Sequence, residues 1–287
     1  MRIAFCISGQ LRTWQKSADT WLKLATALEE KLGAKVDFFS HTWNFNTLPN
    51  NICYEVLRTG PVPKLIDTTE IQEYTKKINL TDFEIDDYEF SLKRKEHLRQ
   101  ISAASSFCGP QDRSTVLGWA ACQYYSLMRS AHLKKRHEMN NNFMYDIVFK
   151  IRNDLHFSDG AIDKFLSLNE YSDWKSDLHI PKHNFMYSCH TGSSPDWPFT
   201  RVGDIFFYAN SVTFDRICDF YRWLPQITAF DGKMQKDVQP ELVLFYYAKM
   251  MKINIHAISS DPRISRSDSY ADILNNYSLR LKGFEIV

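Results

Sequence analysis

Residues 2–8, Arg-Ile-Ala-Phe-Cys-Ile-Ser, form a nearly unbroken apolar run. Such a run reads as a strand covered on both faces, the usual condition of a parallel sheet. A helix follows, because Trp14, Ala18, Trp21, Leu22, Leu24, Ala25, Leu28 and Leu32 keep one face apolar and Gly33 ends the pattern. Lys-Val-Asp-Phe-Phe-Ser at 35–40 is a second strand, trailed by His41, Thr42 and Trp43. Strand, helix and strand in so short a span make a βαβ unit, whose two strands run parallel with their ends side by side. In an open α/β sheet ligands bind outside those carboxyl ends. Ser8, Gly9, Gln10 and Arg12 are therefore expected to face one cleft with His41, Thr42 and Trp43.

A third strand is written into residues 145–157, Tyr-Asp-Ile-Val-Phe-Lys-Ile-Arg-Asn-Asp-Leu-His-Phe, where Tyr145, Ile147, Phe149 and Ile151 alternate with Asp146, Val148 and Lys150. Its end carries Arg152 and Asp154, and an i, i+2 pair on extended backbone lies on one side of the chain. A metal-bridged phosphate suits that pair, with Asp154 on a divalent cation and Arg152 on phosphate oxygens. A salt-bridged strand end is the other reading. The preceding helix, expected over residues 114–138, has Leu117, Ala120, Ala121, Tyr124, Leu127, Met128, Ala131 and Leu133 at helical spacing. Gln123 is expected at the edge of its buried face and Arg129 toward the cleft.

Composition removes several classes. The 287 residues are 44% hydrophobic and 24% charged, enough for a large core. With 35 basic against 34 acidic residues the net charge is +1, so nothing global favours nucleic acid or an anionic membrane. Cys6, Cys53, Cys108, Cys122, Cys189 and Cys218 form no C-x-x-C pair, which reads as reduced thiols. Without a long apolar segment the expectation is a cytoplasmic protein with no membrane span, and Asn79-Leu80-Thr81 and Asn276-Tyr277-Ser278 read as chance glycosylation patterns. The chain has neither G-x-G-x-x-G nor Gly-Lys-Ser/Thr, which disfavours dehydrogenases and P-loop ATPases. Ser-Gly-Gln-x-Arg at 8–12 could still meet a phosphate or nucleoside through Arg12 and free backbone N–H groups.

Elsewhere the pattern predicts a short strand at 64–68, a helix at 69–78, a mixed-charge segment at 82–100 and an ordered loop or lid at 102–113. Residues 91–100 read as a solvated helix face, with a phosphate-binding patch as the alternative. Later come a peripheral helix at 159–169, a strand at 177–181, and a turn-rich loop at 184–200 suited to substrate contacts. A core strand at 202–209 carries Asp204; Ser211 is expected to cap a helix to about Leu224; a helix at 239–251 and a strand at 253–258 follow, then a wrapping tail. His190 beside Cys189 reads as a loop histidine. His256 is a candidate metal ligand or a buried structural histidine.

Taken together, Ser-Gly-Gln-Leu-Arg-Thr-Trp at 8–14, Phe-Phe-Ser-His-Thr-Trp at 38–43, the long helix and the 145–157 motif resemble nucleotide-sugar-dependent glycosyltransferases of the GT-A type. They are similar to bacterial and large-virus families in which Arg-x-Asp replaces D-x-D. The resemblance implies a GT-A-like, Rossmann-like α/β fold in one large domain, with a mostly parallel central sheet flanked by helices. Residues 1–158 would be the nucleotide-sugar-binding half, 159–260 the acceptor half and 261–287 a C-terminal tail. It implies a nucleoside diphosphate sugar donor, a glycan or glycoconjugate acceptor, and a divalent metal, Mn²⁺ or Mg²⁺, on Asp154 with His256 completing its shell. Ser8, Gly9, Gln10, Arg12 and His41 would cradle the nucleotide, with Arg152 and Arg129 beside it. Because Arg-Asn-Asp has one acid where D-x-D has two, a metal-free enzyme would instead offset the leaving charge with Arg12, Arg152 or Arg129. Asp204 and Glu241 are the candidate catalytic bases, with Asp237 third. A nucleotide- or carbohydrate-binding module without turnover is the rival, and a two-metal phosphoesterase or nucleotidyltransferase is disfavoured by the lack of clustered acids.

Overall fold

The computed structural model describes residues 1–46, 64–87, 89–90, 93, 112–160, 162, 185–188, 206–224, 244, 247–248, 250–257 and 264–266. β1 (Arg2–Ser8), α1 (Trp14–Leu32) and β2 (Lys35–Trp43) form the expected unit, with the strands parallel from Arg2 opposite Lys35 to Ser8 opposite His41. Gly33 caps α1 at φ 59°, a left-handed conformation that costs glycine little. β2 runs on through Trp43, farther than its apolar run implied, because β5 (Asp82–Asp86) pairs with Phe39 to Trp43. That edge strand lies in the mixed-charge segment. Asp82, Glu84 and Asp86 alternate there with Phe83 and Ile85, the period of a strand with one wet side.

The strand expected at 64–68 is only β4 (Lys64–Leu65), which pairs antiparallel with β3 (Phe45–Asn46) outside the main sheet. α2 (Thr68–Ile78) starts on Asp67, whose side chain accepts from Thr69 N–H, and ends on Asn79 at φ 53°. α3 (Asp112–Asn141) exceeds its expected span at both ends and feeds β6 (Ile147–Arg152). β6 pairs with β1 in parallel on the side away from β2, ending with Ser8 opposite Arg152. After Asn153 and Asp154, β7 (Leu155–Phe157) begins, and β11 (Ile264–Arg266) in the tail pairs with it antiparallel.

β8 (Phe185–Ser188) occupies part of the stretch expected to be a turn-rich loop. β9 (Phe207–Ala209) leads into α4 (Ser211–Cys218), and β10 (Asn254–Ala257) follows. The main sheet is ordered β10-β8-β9-β6-β1-β2-β5. β9 is antiparallel to both β6 and β8, and β10 is parallel to β8, so every strand of this sheet except β9 points the same way. The fold is α/β with a mostly parallel sheet and helices on both faces. The strand expected at 177–181 and the segment at 94–111 lie outside the described residues.

Alternation along β1 builds both cores. Ile3, Phe5 and Ile7 pack with Trp14, Trp21, Leu24 and Leu28 of α1 and with Tyr74 of α2. Ala4 and Cys6 pack with Tyr124, Leu127 and Ala131 of α3 and with Phe214 of α4. The cap of α4 is Asn210, whose side chain accepts from Thr213 N–H, and not Ser211 as the sequence suggested. Ser211 turns inward instead. Its hydroxyl donates to Glu138 Oε1 at 2.6 Å and meets Lys134, a fully buried cation that pairs with Glu138 and Asp215, each at 2.9 Å. Glu138 Oε1 also accepts from Tyr145 N–H at 2.8 Å. One buried cluster thus joins α3, α4 and the approach to β6. Among the described residues no helix is long and apolar enough to cross a membrane.

Candidate functional site

From β1 the chain builds outward through β2 to β5, then returns to place β6 on the other side of β1. The strand order reverses between β1 and β6. At such a switch point the loops leaving adjacent strands diverge and open a crevice at their carboxyl ends. Ser8 through Arg12 leave β1 there, and Arg152 through Asp154 leave β6. The β1 turn and the end of β6 thus meet at the register pair Ser8–Arg152, whereas Ser8, His41, Thr42 and Trp43, expected to face the cleft, are buried.

The turn after β1 is held on both sides. Gly9, at φ 111°, donates its N–H to Ser126 Oγ of α3 at 2.9 Å, with His41 O at 3.3 Å. Its carbonyl accepts from Thr42 Oγ1 and from Asn153 Nδ2, both at 2.8 Å. Arg12 has φ 29°, uncommon for a residue with a Cβ, and donates its N–H to Asn46 Oδ1 at 2.9 Å. The expectation of free backbone N–H groups is therefore corrected for Gly9 and Arg12, whose N–H groups are spent on the protein. Ser8 is 1% exposed. The charged groups at the crevice are side chains.

Those side chains are arginines organised by one acid. Asp154 accepts from Arg152 through both oxygens, Nε to Oδ1 at 2.9 Å and Nη2 to Oδ2 at 2.8 Å, the fork geometry of a bidentate pair. Arg12 Nη1 stands 3.9 Å from Oδ2, and Arg12 Nε donates to Gln10 Oε1 at 2.9 Å. The Asp154 side chain is 8% exposed, against 15% for Arg152 and 23% for Arg12. Asn153 points the opposite way into the core, where its Oδ1 accepts from Tyr74 O–H at 2.9 Å. The strand-end salt bridge that sequence left open is present. The metal reading fits poorly with this donor set, because a divalent cation on Asp154 would displace the Arg152 fork and sit between two guanidiniums. Nor does the sheet bring His256 to it: β10 is separated from β6 by β9 and β8, roughly 14 Å of strand spacing.

His41 is not a ligand-facing group. It is fully buried, with Nε2 3.1 Å from Asp86 Oδ2 and Nδ1 2.9 Å from Ser126 Oγ. Burial holds its pKa below the ordinary value, with Asp86 opposing. Asp86 is pushed up by burial, but bonds from His41 and Tyr125 and the nearby Arg129 leave it below the usual range. Because an ionised carboxylate only accepts, neutral His41 carries its proton on Nε2, and its Nδ1 shares the single Ser126 hydroxyl proton with the His41 carbonyl, 3.0 Å from Ser126 Oγ. Serine, histidine and aspartate in line are the residue types of a nucleophilic triad, but Ser126 is fully buried and its oxygen holds the Gly9 N–H. The line is a brace for the turn.

A pH dependence follows. Since His41 folds neutral, its contribution to stability is complete above about pH 6.5 and falls as pH drops below that, at up to about 1.4 kcal/mol per pH unit. Half-buried His132, also lowered by burial first, adds in the same direction. Urea unfolding midpoints measured between neutral and mildly acidic pH should decline, and His41→Gln should flatten the decline. An unchanged slope in that variant would remove His41 as the cause.

Arg129 is held away from the crevice, toward β5, two strands from β1. It forms a bidentate pair with Glu84 of β5, which places it at the sheet edge and not in the cleft as expected. Asp204, Asp237, Glu241, Cys189 and His190 lie outside the described residues. The sequence reading missed the roles of Ser126, Asn153, Tyr74 and Asp86. Ser126 and Ser130 did leave a trace, as small polar residues four apart within the apolar stripe of α3.

No protein-family model matches this chain, and no curated protein matches it in sequence. Among solved structures it is similar to the apo form of mouse xyloside xylosyltransferase 1, at 8% identity and a TM-score of 0.41, over 96% of this chain and 92% of that one.

Proposed function

We propose that the chain transfers a sugar from a nucleoside diphosphate sugar to a hydroxyl of a glycan or glycoconjugate acceptor. One observation carries the reading: the Arg-Asn-Asp and Ser-Gly-Gln-x-Arg segments, singled out by their resemblance to glycosyltransferases, leave adjacent strands at the switch point of a mostly parallel sheet. The barrier to glycosyl transfer lies in separating a cationic sugar from a diphosphate, so the chief demand on the protein is fixed positive charge at the leaving group. Arg12 and Arg152 meet that demand, and Gln10 and Asp154 hold them. Asp204 and Glu241 are the candidates for the base that takes the acceptor proton.

A thermal-shift panel of UDP, GDP, CMP and their sugars tests the donor site. A ligand at about a hundredfold excess over its Kd stabilises the native state by about 2.7 kcal/mol. One nucleoside diphosphate should raise Tm above the others, and its sugar conjugate should be hydrolysed slowly without acceptor. No shift with any nucleotide would defeat the reading. A shift without hydrolysis, or without transfer to any glycan, would leave a nucleotide-binding module instead.

A further inference from the structure

The Arg152 fork grips both oxygens of Asp154, and Arg12 approaches the same carboxylate from the β1 turn. We infer that Asp154 is a positioning residue that holds these two guanidiniums as a metal-independent binding site for a diphosphate group, and that it is not a metal ligand. The inference rests on the proposed donor site for its ligand, but its chemistry needs only a diphosphate anion.

Three features support it. The first is geometry: Nε and Nη2 of Arg152 lie 2.9 and 2.8 Å from separate oxygens, so the acid's strongest acceptor directions are already used in the plane of the guanidinium. The second is charge. The Arg152 and Arg12 guanidiniums both approach this carboxylate, so a divalent cation placed on it would sit beside two positive groups. The third is the donor set. No group of three or more histidine, cysteine, aspartate or glutamate side chains among the described residues is placed to share an ion, and the central motif residue, Asn153, is turned into the core. An arginine pair fixed in this way does for a leaving diphosphate what a bound cation does elsewhere: it presents positive charge that needs no reorganisation as negative charge develops.

Binding of inorganic pyrophosphate, and of the best nucleoside diphosphate from the panel, is measured by calorimetry on the full chain in excess EDTA and again in excess Mn²⁺. The expected result is pyrophosphate binding in EDTA, with a Kd that Mn²⁺ changes by no more than about threefold. Arg152→Met should weaken it by about tenfold or more. Asp154→Asn, which keeps one acceptor and turns an N–H toward the guanidinium, opens the fork and should weaken pyrophosphate binding by about three- to tenfold, by the same factor in EDTA and in Mn²⁺. The inference is overturned if wild-type binding appears only with Mn²⁺ and Asp154→Asn abolishes it, or if pyrophosphate does not bind in EDTA at all. The first two arms use unaltered protein, so a misfolded variant does not decide the matter. Pyrophosphate binding without any nucleotide binding would preserve the arginine site and refute the sugar-nucleotide donor; Mn²⁺-dependent nucleotide binding would do the reverse.

Discussion

Lys134→Met is expected to lower unfolding free energy by about 3–5 kcal/mol, the range measured when one partner of a buried ion pair is removed. The Lys134 ammonium is fully buried between α3 and α4, 2.9 Å from Glu138 and 2.9 Å from Asp215. Burial would lower the lysine pKa, but the two carboxylates more than offset it and leave it raised, so the cation is charged in the native protein. Methionine fills much of the same volume and supplies no charge. What remains is two carboxylates in one largely buried cluster, with Asp215 already pushed up by its own burial and only half-exposed Lys135, 3.8 Å away, near it among the described residues. Urea denaturation should show the loss as a lower midpoint. Adding Asp215→Leu should restore much of the stability, because Glu138 then keeps its bonds from Tyr145 N–H and Ser211 O–H with no second acid beside it. A single-variant cost under about 1 kcal/mol would mean the cluster is solvated in solution and behaves as a surface pair.

The same cluster shows what a sequence can and cannot disclose. The strands β1, β2 and β6 and the helix α1 were legible because each has one dominant signal, an apolar run or a single apolar face, and the order strand-helix-strand leaves few ways to connect them. β5 was hidden: its three acids resemble a solvated segment unless their alternation with Phe83 and Ile85 is weighed above their charge. Nothing in the sequence marks Lys134 and Glu138 as buried, since only the packing of α4 against α3 removes them from water. Ser211 was read as a cap because serine commonly caps helices, but Asn210 one position earlier took that role and freed Ser211 for the core. At the crevice, chain topology alone placed Arg12, Arg152 and Asp154 together. Their pairing was undecided in sequence, because the same spacing serves a metal site and a guanidinium fork.

Asn153 gives the second large effect and separates those two uses. Its side chain is 1% exposed and joins three elements: Nδ2 donates to the Gly9 carbonyl after β1, and Oδ1 accepts from Tyr74 O–H of α2, which also bonds Ser40 Oγ of β2 at 2.7 Å. Asn153→Ala deletes both contacts in the core. With buried groups left unpaired at about 1–3 kcal/mol each, and Thr42 still holding the Gly9 carbonyl, the expected loss is about 2–4 kcal/mol. Asn153→Asp is the sharper variant. By composition it makes the motif Arg-Asp-Asp and adds the second acid that a metal site would use. By geometry it aims a carboxylate oxygen at the Gly9 carbonyl oxygen in a buried site, where acceptor faces acceptor. Its stability should fall at least as far as that of Asn153→Ala, with no recovery on adding Mn²⁺, when both are compared by urea unfolding. Stabilisation of Asn153→Asp by Mn²⁺ would put this side chain in the crevice, and with it the case for a metal at the end of β6.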